Sequence, residues 1–73
     1  MLTYISGEVL QKLRILKGIK QSFIAKKLGI SQPRYCKIEK KETIQGDLFR
    51  DLKKVLSFTD EEVENIKQML SLP

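Results

Sequence analysis

Histidine is absent from the chain, and cysteine occurs once, at Cys36. One thiol cannot close an intramolecular disulfide, and without a CxxC pair or an imidazole there is no ligand set for a structural zinc. An unbridged thiol suits a reducing compartment, so a cytoplasmic location is expected. The chain also lacks a glycine-rich phosphate loop, a nucleophile spaced beside a base, and a cluster of metal-binding side chains. Catalysis is therefore not expected, and neither a cofactor, a metal nor a small-molecule ligand is called for. No apolar run approaches the ~20 residues that cross a bilayer. The opening MLTYISGEV has neither the basic start nor the long apolar stretch of a secretory signal, so no membrane partner is expected.

What the chain does have is charge, unevenly placed. Its 73 residues carry a net +5, divided as +8 over residues 1–56 and −3 over residues 57–73. That length makes one small domain, residues 1–73, with no room for a second core. A basic body followed by an acidic end suits a protein that meets a polyanion through its body and points its last helix elsewhere.

The most informative stretch is KQSFIAKKLGISQPRYCKIEKK, residues 20–41. Ile24, Ala25, Leu28, Ile30, Tyr35 and Ile38 can all be buried if two short helices meet at Gly29. Glycine adopts positive φ at no steric cost, so it suits the exit from the first of these helices. Ala25, four residues earlier, leaves room for a second helix to cross closely. Ser31 can cap the next helix, with Ile30 and Tyr35 forming a hydrophobic staple across its start.

On Gln21, Ala25, Gly29, Ile30, Ser31, Gln32, Ile38 and Glu39, with Arg14 upstream, the chain resembles the Cro/repressor-like (Xre) helix-turn-helix family, over roughly residues 7–70. The resemblance implies an all-α fold, a compact five-helix bundle of the lambda-repressor-like kind, with helices at about 7–17, 21–28, 32–40, 45–56 and 60–70. It implies a prokaryotic or phage regulator that binds double-stranded DNA through its third helix, and a structural ion pair between Arg14 and Glu39. The chain departs from the family pattern at Lys20, where Ser or Thr usually caps the second helix, and at Phe23, on a side normally polar. It departs again after Glu39, where a glycine is common, and at Lys53, where a small apolar residue is usual.

Candidate DNA contacts follow from the chemistry of each residue. Gln21 opens a helix whose free N–H groups and positive dipole end attract phosphate, and its side chain could reach Gln32. With Tyr35 and Ile38 inward, Gln32, Pro33, Arg34, Lys37 and Lys41 face outward, and Arg34, Lys37 and Lys41 form one cationic line. Gln32 can grip adenine N6 and N7, and Arg34 has the fork for guanine O6 and N7; either can instead hold phosphate. Pro33 touches a thymine methyl or only starts the helix. Lys37 reaches a base or a phosphate, and Lys40, Lys41 and Thr43 are candidates for the DNA backbone.

Elsewhere the reading is mostly of core. Residues 1–5 either pack over the domain or pair with a partner. Leu10, Leu13 and Leu16 mark one side of the first helix, and Phe23 is expected to cover that helix. Without its glycine, the segment after Glu39 is expected to be tighter or more helical than usual. Leu48, Phe49, Leu52, Val55 and Leu56 form the stripe of the fourth helix. Thr59 and Glu62 read as a capping box, with Phe58 and Val63 as its staple. The fifth helix carries Val63, Ile66, Met69, Leu70 and Leu72, more apolar surface than one small domain needs, which suggests a homodimer contact matched to a palindromic site. The leading expectation is a sequence-specific transcriptional repressor. The alternative is a protein-interaction module, such as an antitoxin-like partner or adaptor, favoured by Phe23 and the acidic, apolar fifth helix.

Overall fold

The computed structural model describes residues 1–72. They run in the order β1 (Tyr4–Ile5), α1 (Gly7–Leu16), α2 (Gln21–Leu28), α3 (Gln32–Ile38), β2 (Ile44–Gln45), α4 (Gly46–Leu56) and α5 (Asp60–Leu70). Among the described residues five helices are present, as expected. The third is shorter than expected, because the chain tightens after Ile38: Lys40 N–H donates to the Lys37 carbonyl and Lys41 N–H to that of Ile38, both at 3.1 Å. Such three-residue closures end an α-helix in a turn.

Helix starts follow their caps. Ser6 accepts from Val9 N–H, Ser31 from Arg34 N–H and Thr59 from Glu62 N–H, and the Glu62 side chain completes the capping box. Lys20 supplies no such bond to α2, nor Gln45 to α4. A missing cap costs about 1 kcal/mol, whereas burying one isoleucine contributes about 1.5–3 kcal/mol. Fully buried Ile24 therefore holds α2 in place despite its uncapped start. At the other end Gly29 takes φ 71°, which lets Ile30 N–H reach back to the Ala25 carbonyl at 3.0 Å and turns the chain into α3.

The core is continuous. Ile5, Val9, Leu10 and Leu13 meet Ile24, Ala25 and Tyr35 on one side and Ile44, Phe49, Leu52, Leu56, Phe58, Val63 and Ile66 on the other. Phe49 and Phe58 pack edge to face at 5.8 Å. Leu28, Ile30 and Ile38 are half-buried against this cluster, as are Leu48 and Val55. The fifth helix is fastened at its first turn, where Lys17 pairs with Glu62 at 3.0 Å and Lys53 with Asp60 at 3.4 Å, Asp60 also accepting from Leu2 N–H. Lys53, in place of the usual small apolar residue, turns its charge outward to an acidic partner.

Three expectations need correction. Leu16 is not core: it is 66% exposed, because Lys17 is the residue of that turn directed toward α5 while Leu16 stands at the rim of the cleft between the two helices. Phe23 does not cover α1; it is 47% exposed, with the Lys27 ammonium 5.4 Å from its ring centroid. The segment after Glu39 is tight only in the turn that closes on Lys37 and Ile38; beyond it the chain is extended rather than helical, and Ile44 is buried in β2. β1 and β2 pair antiparallel, Tyr4 with Gln45 and Ile5 with Ile44, adding a two-residue ladder to the helical bundle. Within residues 1–5 the ladder buries Ile5 on its own domain and Leu2 packs in part, while Met1, Thr3 and Tyr4 stay exposed.

Candidate nucleic-acid interface

The site is built outward from a buried polar cluster. Arg14 Nε donates to Glu39 Oε2 at 2.6 Å and Arg14 Nη2 to Glu39 Oε1 at 3.3 Å, a two-pronged contact between α1 and the end of α3. The remaining Arg14 arm donates to the Ile19 carbonyl at 3.0 Å, so the guanidinium also fixes the α1–α2 turn. Gln21 Nε2 donates to Glu39 Oε1 at 2.9 Å. One carboxylate therefore ties together α1, α2 and α3, and its residue is only 8% exposed.

Charge follows this geometry. Burial pushes the Glu39 carboxyl up, but the hydrogen bonds it receives, chiefly from Arg14, outweigh that and hold it below the ordinary glutamate value. The same bond raises Arg14. Tyr35 is fully buried beside them, and its hydroxyl has no partner at hydrogen-bonding geometry. Burial first, and the neighbouring Glu39 carboxylate second, push the Tyr35 pKa far above the ordinary tyrosine value.

This anchor sets which face α3 shows to solvent. Tyr35 is buried and Ile38 half-buried, while Gln32, Pro33, Arg34 and Lys37 are exposed, as are Lys40, Lys41 and Thr43 in the segment that follows. Pro33 lies in the first turn of α3, where its missing N–H breaks no helical bond. Among the described residues, no carboxylate stands within ion-pair distance of Arg34, Lys37, Lys40 or Lys41. Arg34, Lys37 and Lys41 line one groove together with Leu28, Ile30, Ile38, Leu48 and a single carboxylate, Asp51, which pairs with Arg50. Cys36 is half-buried with a free thiol.

Gln21 is placed differently from expectation. Its amide is turned inward to Glu39 and not toward Gln32, because the buried carboxylate has a lone pair that Arg14 does not satisfy alone. What remains outward at that point is the uncapped backbone start of α2. Gly7 went unnoticed in the sequence, since a glycine after a capping serine looks like an ordinary helix start. In the fold its N–H donates to the Lys41 carbonyl at 2.8 Å, bringing α1 against the segment that carries Lys40 and Lys41. The β-branched pair Thr43 and Ile44 was the available signal for an extended segment there.

A sequence model of the helix-turn-helix family, of the Cro/C1 type, matches residues 10–62, most of the chain and all of α1 to α4 beyond the first helical turn. The chain belongs to that family. This helix-turn-helix protein is a DNA-binding regulator, with α2 and α3 as its helix-turn-helix pair. No curated protein and no solved structure matches it. Among the described residues, no helix of this helix-turn-helix protein is long and apolar enough to cross a membrane.

Proposed function

We propose that the protein is a sequence-specific transcriptional repressor that lays α3 in the major groove of double-stranded DNA and blocks the site by occupying it. The observation that carries this reading is the row of Arg34, Lys37 and Lys41, exposed and without carboxylate partners among the described residues. Gln32 and Arg34, at the N-terminal end of α3, read base edges, adenine and guanine respectively, and Pro33 offers a thymine methyl an apolar contact. Lys37 extends the contact one turn along. Lys40, Lys41, Thr43 and the backbone end of α2 at Gln21 hold phosphates and fix the register.

A homodimer formed through α5 would present two such helices to a palindromic site. Val63 and Ile66 close the core, but Met69 and Leu72 remain 59% and 72% exposed, which leaves apolar surface for a second copy. Half-sites would then repeat at roughly 34–36 Å. Exposed Phe23 favours one other reading, an interaction module that grips a protein partner with the same fold.

Selection of bound duplexes from a random library tests both. The repressor reading predicts a symmetric consensus, and Arg34→Ala with Lys37→Ala abolishes selective binding while leaving the thermal midpoint nearly unchanged. If that double variant recovers the same consensus with undiminished affinity, α3 is not the reading element.

A further inference from the structure

We propose that residues 4–7 act as a strap that positions the DNA-backbone contacts of the α3–α4 connection, with Gly7 as its positioning residue. The proposal rests on the assignment of Lys40, Lys41 and Thr43 to the DNA backbone. It goes beyond that assignment by naming what holds them in place.

The connection has few holds of its own. Lys40, Lys41, Glu42 and Thr43 are all exposed, and only Ile44 enters the core. It is gripped instead from the start of the chain at two points. Gly7 N–H donates to the Lys41 carbonyl at 2.8 Å, and β1 pairs with β2 just beyond, Ile5 opposite Ile44. Ile5 and Ile44 are each 1% exposed, so the second point is a buried apolar contact as well as a ladder. Of the DNA candidates of this segment, Lys41 and Thr43 therefore lie at or between two fixed positions, and Lys40 immediately precedes the first.

Only glycine permits the first point. A Cβ on Gly7 would stand 2.5 Å from the Glu39 carbonyl carbon and 2.7 Å from the Lys41 carbonyl oxygen. Both are backbone atoms, which cannot swing aside as the end of a side chain can. Any side chain at this position forces the Glu39–Lys41 turn away from α1. The displaced turn carries Lys40 and Lys41 directly, while the first turn of α3, where Gln32 and Arg34 stand, is held separately by the Ser31 cap and by Tyr35 in the core. Gly7 thus acts most directly on the backbone contacts at Lys40 and Lys41, and reaches the base-reading turn of α3 only through Glu39.

The test is a double-mutant cycle on a fluorescein-labelled duplex taken from the library selection, with affinity measured across a salt series. Gly7→Ala shallows the dependence of log affinity on log salt by about 0.9 for each lysine disengaged. In a Lys40→Ala, Lys41→Ala background the same change costs nothing further, within about twofold, because coupled sites are not additive. A general loss of stability would cost the same in both backgrounds. If Gly7→Ala fails to fold by far-ultraviolet ellipticity, Tyr4→Pro, which disturbs the ladder at an exposed position, is read in the same cycle. A full salt slope in the folded variant, or equal losses in the two backgrounds, overturns the strap while leaving DNA binding standing. A wild-type chain that yields no selected duplex overturns the DNA assignment and the strap together.

Discussion

Glu39 decides more than any other residue. Its carboxylate takes bonds from Arg14 and Gln21 and sits at the end of α3, the helix proposed to enter the groove. Removing one member of a buried pair strands the other charge, which costs about 3–5 kcal/mol. In a domain of this size each 1 kcal/mol lowers the midpoint by roughly 4–8 °C. Arg14→Ala is therefore expected to lower the thermal midpoint by more than about 10 °C, as scanning calorimetry would show. The pair also has a pH signature. Glu39 is held below its ordinary 4.5 in the fold, so its stabilisation is complete above that value and is lost as pH falls through the lower folded value. The midpoint gap between wild type and Glu39→Gln should be widest near neutral pH and close on acidification; a gap that widens in acid would contradict the pairing. Tyr35 points the other way. Its hydroxyl is buried without a partner of good geometry, and such a group is costly to keep. Tyr35→Phe should leave the midpoint unchanged or raise it, whereas a clear fall would mean that the hydroxyl does bond to Glu39.

The helices owe their order to different causes, and this explains what the sequence alone reveals. The α2–α3 pair was legible because Ala25, Gly29 and Ser31 each have one plausible job at their spacing, and α5 because Thr59 and Glu62 spell a reciprocal cap. The ladder was not legible: two-residue strands carry too little alternation to register, and Ile5 and Ile44 find each other across 39 positions. Gly7 was hidden for the same reason, since its need for glycine arises from backbone that arrives from Glu39 and Lys41. Of the candidate DNA residues, the outward set on α3 could be read from the inward one by periodicity. The inward turn of Gln21 could not, because it depends on where Glu39 is buried. One element carries removable strain. Ser57 ends α4 at φ 53°, a left-handed conformation that disfavours every residue with a Cβ, and its side chain is exposed. Ser57→Gly relieves roughly 1–2 kcal/mol of left-handed strain against roughly 0.5–1 kcal/mol of added chain entropy, so a modestly higher midpoint in urea is expected; a lower midpoint would show that the hydroxyl contact with the Lys54 carbonyl outweighs the strain.

Across the whole molecule, charge and shape divide the labour. The basic body holds α3 with its row of cations, unpaired among the described residues, while three of the four acidic residues after Ser57 crowd the first turn of α5, where two of them pair with Lys17 and Lys53. A polyanion is thereby met at one end and turned away at the other. Lysines and arginines that neutralise phosphates release counterions, so affinity for a selected duplex should fall steeply and linearly on logarithmic salt axes. The most direct test of the central claim is amide chemical-shift mapping of the labelled protein on addition of that duplex. The account predicts shifts concentrated at the start of α2, over Gln32 to Lys37 and over Lys40 to Thr43, with Met69 and Leu72 unmoved by the DNA itself. Shifts centred on Phe23 or on α5, with the amides of α3 unchanged, would contradict it.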